Sequence, residues 1–174
     1  MVQLIIVNGM PTSGKSTFVE FCLKQLGCFG REISTVDFVK ELARLAGWDG
    51  TKDLKNRKFL SDLKDLLTEW NDVPYNKIKN ERDSFEFELG QYGLENRTGF
   101  LFVHCREPEE IQKFKNRLGA TTLLIRRADV ESNEQSNHAD ANVFNFKYDI
   151  EIENNGSLEE LNEKAIHFCN YLPF

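Results

Sequence analysis

Gly9-Met10-Pro11-Thr12-Ser13-Gly14-Lys15-Ser16, followed by Thr17, is the stretch on which the fold of this chain turns. It fits G-x-x-x-x-G-K-[ST], the phosphate-binding P-loop. Its surroundings are those the motif needs. The apolar run Leu4-Ile5-Ile6-Val7 just before it reads as a buried strand, and Phe18, Phe21, Cys22 and Leu26 recur at helical spacing just after it. Glycines let backbone N–H groups curl round a phosphate, and the start of the helix adds partial positive charge. The expected nucleotide-binding set is Gly9, Pro11, Thr12, Ser13, Gly14, Lys15, Ser16 and Thr17. Lys15 is placed to reach β- and γ-phosphates, and the Ser16 hydroxyl to ligate Mg²⁺.

Outward from the loop, strand-like and helical runs alternate. Strands are expected near 2–7, 32–36, 100–104, 121–125 and 147–152, and helices near 15–26, 107–118 and 157–171. Alternation of this kind predicts an α/β fold of three layers, a five-stranded parallel sheet between helices. Gly119-Ala120 reads as a helix stop, and Ser157 with Glu160 as a capping box. A single domain over 1–174 is expected, with its core in 1–36, 99–126 and 147–174. Residues 37–98 read as a helical insertion and 127–146 as a polar, lid-like loop.

Composition narrows the function. The 174 residues are 40% hydrophobic with a formal charge of −6, which argues against broad nucleic-acid binding. No apolar run approaches a membrane span, and no basic leader precedes the first strand. Cys22, Cys28, Cys105 and Cys169 form no C-x-x-C pair, so zinc is not expected, and a reducing, cytoplasmic setting fits. Cys22 and Cys105 read as buried thiols.

Two further segments carry a resemblance. Phe102-Val103-His104-Cys105-Arg106-Glu107-Pro108-Glu109-Glu110 with Arg117-Leu118-Gly119-Ala120-Thr121 is similar to a strand, Asp-x-Arg, acidic helix start and Gly-Ala turn. Asp149-Ile150 through Asn154-Asn155-Gly156-Ser157-Leu158-Glu159-Glu160-Leu161 is similar to a closing strand, Asn-Gly-Ser turn and last helix. With the P-loop, these segments resemble the P-loop nucleoside and nucleotide kinases. The likeness is nearest to the phage-type deoxynucleoside monophosphate kinases and more distant to phosphomevalonate kinase. It covers the core well and 37–98 poorly. It implies a P-loop NTPase fold with a helical acceptor-binding insertion and a short lid, and Mg²⁺-dependent transfer from ATP to a phosphorylated acceptor. His104 stands where the family has Asp. It is a neutral substitute, a sign of weakened catalysis, or a shift of the task to Asp37.

Phosphoryl transfer needs cations around the moving group. Arg106, just past the third strand, is expected to hold the acceptor phosphate or the transferring group. Arg126 and Arg127, where the lid-like loop opens, are expected to close over the γ-phosphate. Asp37 is expected to serve Mg²⁺ or the acceptor, or to cap its helix. Asp37, Lys40 and Arg44 share a helix face opposite Phe38, Leu42 and Leu45. In 52–70, Leu60, Leu63, Leu67 and Trp70 form the apolar stripe, and Lys52, Lys55, Arg57, Lys58 and Lys64 crowd the other faces, Arg57 being the one singled out. Ile78, Phe85, Leu89 and Tyr92 make the next stripe. Arg82 falls on it and needs Glu86 or an acceptor phosphate as partner.

The expected acceptor is thus a nucleoside monophosphate. A non-nucleotide acceptor and a nucleotide-binding switch without efficient transfer are the alternatives. No Asn-Lys-x-Asp pattern supports a GTPase. Small-molecule nucleotides are the expected partners, with no nucleic acid and no membrane, and a homodimer is allowed for.

Overall fold

The computed structural model describes residues 1–51, 53–131 and 142–172. Five strands form one sheet: β1 Val2–Asn8, β2 Gly30–Ser34, β3 Gly99–His104, β4 Thr121–Arg126 and β5 Ile150–Glu153. The order is β2-β3-β1-β4-β5 and every pairing is parallel, with the strand before the P-loop at the centre. The helices are α1 Lys15–Leu26, α2 Asp37–Leu45, α3 Leu54–Asn71, α4 Val73–Gln91, α5 Pro108–Leu118, the short α6 Ala128–Glu131 and α7 Leu158–Asn170.

Strand alternation divides the core into two layers. Leu4, Ile6, Leu101, Val103 and Leu124 pack under Ile78, Phe85, Leu89, Ile111 and Phe114 of α4 and α5. Ile5, Val7, Phe100, Phe102, Leu123 and Ile125 pack under Phe18, Val19, Cys22, Leu161 and Phe168 of α1 and α7. Each central strand is covered on both faces, which explains why its apolar runs are continuous. Gly119 ends α5 in the left-handed region, and Ser157 Oγ caps α7 by accepting from Glu160 N at 3.3 Å.

β2 begins and ends about two residues earlier than its apolar run suggests. Thr35 and Val36 already turn, although Thr35 N still donates to His104 O at 3.1 Å. In α2 the buried residues are Val39 and Ala43, while Leu45 is 85% exposed, so Phe38, Leu42 and Leu45 are not its inner face. Small side chains allow the close approach. α3 buries no residue fully, and Trp70, assigned above to an apolar inner stripe, is 75% exposed. Tyr92 lies just past α4 and is 78% exposed. Half of the lid-like loop, residues 132–141, falls outside the described residues, as does Lys52.

Asp149 ties β5 to its neighbours. Its Oδ2 accepts from Thr122 N at 3.0 Å and Thr122 Oγ1 at 2.8 Å, and its Oδ1 pairs with Lys115 of α5. Burial pushes this carboxyl up, but the bonds from Lys115 and Thr122 outweigh it and hold the pKa below its ordinary value. A depressed pKa stabilises the fold above the unfolded value, about 3.9, and that stability is lost as pH falls through the folded value. Asp149→Asn is therefore expected to be less stable than wild type at neutral pH, with the gap closing below about pH 4. Urea midpoints across pH check this. A gap that does not change with pH would contradict it.

Candidate active site

The six residues Gly9–Gly14 join the central strand to α1. Gly9 (φ 150°), Thr12 (φ 62°) and Gly14 (φ 95°) take conformations that favour glycine, and two of the three are glycine. A Cβ at Gly14 would meet the Asn154 side-chain amide, and one at Gly9 the carbonyl oxygen of Ile125. The loop therefore lies flat against the ends of β4 and β5. Asn154 fixes it there: its Nδ2 donates to Ser13 O at 2.9 Å, and its backbone N to Arg126 O at 2.7 Å.

Asn8, fully buried at the end of β1, fixes the other side. Its Oδ1 accepts from Gly9 N at 2.8 Å, and its Nδ2 donates to Tyr148 Oη at 2.7 Å and to Arg106 O at 3.2 Å. Tyr148 donates onward to Val143 O at 2.9 Å. Burial pushes the Tyr148 phenol up to about 12, so it stays a donor. One side chain thus sets the P-loop against Arg106, the second residue after β3. None of Asn8, Tyr148 and Asn154 was singled out from the sequence. A lone Asn closing an apolar strand was the available signal for Asn8, since a buried amide needs partners. Nothing local marks Tyr148.

Three features fit a polyphosphate. Gly14 caps α1 in the left-handed region and offers no side-chain acceptor to the start of the helix, whose first amides point out of its end. Ser13 Oγ is buried and, among the described residues, has no hydrogen-bond partner. Lys15 Nζ arches back over the loop, donating to Gly9 O at 2.7 Å and Met10 O at 2.6 Å. No cluster of three or more His, Cys, Asp or Glu side chains among the described residues forms a metal site. Mg²⁺ carried by phosphates needs only one or two protein oxygens, which Ser16 and a nearby carboxylate can supply.

A cleft of about 1680 Å³ opens beside the loop. Lys15 and Ser16 line it, as do Asp37 and Lys40 of α2, Arg57 and Lys64 of α3, and His104 and Arg106 at the end of β3. Asp37 is the first residue of α2 rather than its cap. Its Oδ2 accepts from Ser34 N at 2.8 Å, and its Oδ1 from Lys40 Nζ at 3.1 Å. His104 Nε2 lies 2.6 Å from Glu32 Oε1, so the histidine at the end of β3 has a carboxylate partner on β2.

Lys64, one of the cations on the polar faces of α3, is largely buried. It pairs with Glu110 Oε2 at 2.7 Å with both side chains largely buried, and the Cys105 thiol donates to the same oxygen at 3.0 Å. Burial pulls the Lys64 pKa down, but the Glu110 charge more than offsets this and leaves it raised. Burial pushes the Cys105 thiol well up, so it stays protonated. The fact that Lys64 falls two turns after Arg57, on the same face, was the legible hint.

The remaining cations lie outside the lining of this cleft. Arg44 is exposed and stacks over Trp48, 5.5 Å from the ring. Arg82 pairs with Asp83 at 2.8 Å rather than with Glu86. Arg126 lies over Phe144 and 3.5 Å from Glu151, and Arg127 lies 3.8 Å from Asp129. These last two flank the segment that is not described.

No family model matches this chain, and no curated protein matches it. Solved structures do. A candidate kinase from Chloroflexus aurantiacus j-10-fl superposes over 98% of both chains with a TM-score of 0.53 at 14% identity. The chain shares the fold of that protein. An unliganded sugar kinase from Janibacter sp. HTCC2649 aligns over 99% of this chain and 97% of its own (TM-score 0.48, 14% identity). Shikimate kinase from Aquifex aeolicus vf5 aligns over 97% and 96% (TM-score 0.46, 14% identity). At such identities the likeness concerns the fold.

Proposed function

We propose that this chain transfers the γ-phosphoryl group of ATP to a small acceptor held in the cleft between the P-loop, α2 and α3. The observation that carries the reading is the loop itself: a buried, unpartnered Ser13 hydroxyl and an uncapped helix start beside Lys15, opening on a cleft that Arg106 also lines. In this reading the amides at the start of α1, Gly14–Thr17, and Lys15 bind the β- and γ-phosphates, and Ser16, with Asp37 as the acid on the cleft wall, would hold Mg²⁺. Bound Mg²⁺ supplies charge neutralisation across the phosphate oxygens. Arg106 orients the acceptor or the moving group, and Asp37 and Lys40 contact the acceptor. Arg126 and Arg127 approach from the lid side. Arg44 and Arg82 contribute only if the insertion rearranges on binding.

A nucleoside monophosphate is the first acceptor class proposed. A polar non-nucleotide acceptor is the second, favoured by one observation: among the cleft-lining residues, Trp48 is the single large aromatic ring available to stack on a base. Among the described residues no helix is long and apolar enough to cross a membrane, and the four cysteines are unpaired. A reducing cytoplasmic setting is part of the proposal.

An ATP-consumption panel tests it, with ribo- and deoxynucleoside monophosphates in one arm and hydroxylated or phosphorylated small molecules in the other. One class is expected to raise turnover about a hundredfold over acceptor-free hydrolysis, the scale that correct positioning supplies. Nucleotide binding with no stimulation by any acceptor would support the switch reading instead.

A further inference from the structure

The outer face of α3 carries three exposed large apolar side chains along one line. Its inner face, carrying Arg57, Leu60, Ser61, Lys64 and Thr68, lines the cleft. About half a turn away lie Lys55, Phe59, Asp62, Leu66 and Trp70, spaced three or four apart and so on one stripe. Phe59 is 38% exposed, Leu66 62% and Trp70 75%. A single exposed apolar residue means little, but three large ones in a row along one helix mark a contact surface.

The charges along α3 say what fits there. Past the Asp53 cap, its first turn has no acidic residue and its last turn no basic one. Lys55, Arg57 and Lys58 lie at the N-terminal end, and Asp62, Asp65 and Glu69 further along. This is the reverse of what the helix dipole favours, so the pattern costs local stability instead of adding to it. A partner helix running antiparallel, with its own acidic end over this basic end, reverses the penalty. α3 of a second copy, basic at its start and acidic toward its end, is such a helix. A two-fold axis across the middle of α3 sets Phe59 of one copy against Leu66 of the other and Lys55 against Trp70 and Glu69, and it brings the two Asp62 residues close to the axis. A parallel pairing would set like charges together. Lys58 pairs with Asp62 one turn on at 2.7 Å, which keeps that carboxylate neutralised at the axis and leaves Lys55 to meet Glu69 of the other copy.

We propose that α3 is the self-association face of this protein, forming an isologous, antiparallel dimer through Phe59, Leu66 and Trp70. The reading does not depend on the reaction catalysed. α3 is about 27 Å long, so one helix pair falls below a standard-size interface, and the dimer is expected to be of micromolar strength.

Sedimentation velocity on the full chain, from sub-micromolar to hundred-micromolar concentration, tests it. The expected result is a concentration-dependent monomer–dimer equilibrium. Leu66→Glu/Trp70→Glu is expected to remain monomeric throughout, with unchanged circular dichroism. Lys55→Glu/Lys58→Glu and Asp62→Lys/Glu69→Lys are each expected to lose at least tenfold in self-affinity and to recover it when mixed. A wild type that stays monomeric overturns the proposal. So does a dimer that survives Leu66→Glu/Trp70→Glu, or charge variants that do not recover on mixing.

Discussion

Lys15→Ala is expected to lose at least a hundredfold in Mg·ATP affinity, and transfer with it. Lys15 is the only fixed cation that the loop supplies, and its ammonium already sits at the loop mouth on the Gly9 and Met10 carbonyls. On binding it exchanges those two neutral acceptors for charged phosphate oxygens, a contact about twice as strong. The fold itself depends little on it, because those carbonyls can be solvated; a change within about 1 kcal/mol is expected. Thermal shift of both proteins with Mg·ATP checks this. Equal stabilisation of wild type and variant would mean that Gly9–Thr17 is not the nucleotide site.

Arg106→Ala is expected to separate binding from transfer. Its backbone carbonyl, the part that accepts from Asn8, survives the substitution, so the P-loop keeps its support. What is removed is a guanidinium on the cleft wall, beside the loop rather than in it. ATP affinity should change less than about threefold while acceptor-dependent turnover falls a hundredfold or more, roughly 3 kcal/mol of transition-state stabilisation. Arg106→Lys should recover only part of the loss, since a point charge does not replace a bidentate fork. Steady-state turnover beside ATP titration measures both. Full activity in Arg106→Ala would remove this residue from the site.

The fold was legible wherever its signal was local. The P-loop, the strand before it and α1 are set by glycine positions and by periods of two and 3.6 within 25 residues, and α1 spans Lys15–Leu26 as its pattern indicates. The stops at Gly119 and Ser157 are equally local. The parallel sheet followed from alternation, because strands joined by helices have few other ways to pair.

What escaped the sequence is what depends on distant pairing. His104 meets Glu32 across 72 residues, Lys64 meets Glu110 across 46, and Asn8 meets Tyr148 across 140. No spacing rule reaches that far. Periodicity also says which residues share a face without saying which face turns inward. In α3 Leu60, Leu63 and Leu67 are half-buried while Trp70 of the same stripe is exposed, and Lys64 shares the inner side with Leu60 because Glu110 supplies a buried counter-charge there. For the same reason Asp37, Lys40 and Arg106 came together at one cleft, whereas Arg44, Arg82, Arg126 and Arg127 did not.

The central claim is that this loop and cleft pass a phosphoryl group from ATP to an acceptor. The most direct measurement follows the γ-phosphoryl label of ATP with the acceptor that most stimulates turnover. The account predicts label on the acceptor in step with ADP formed, and none with Lys15→Ala. Label released only as inorganic phosphate, with no labelled acceptor from any class, would contradict it.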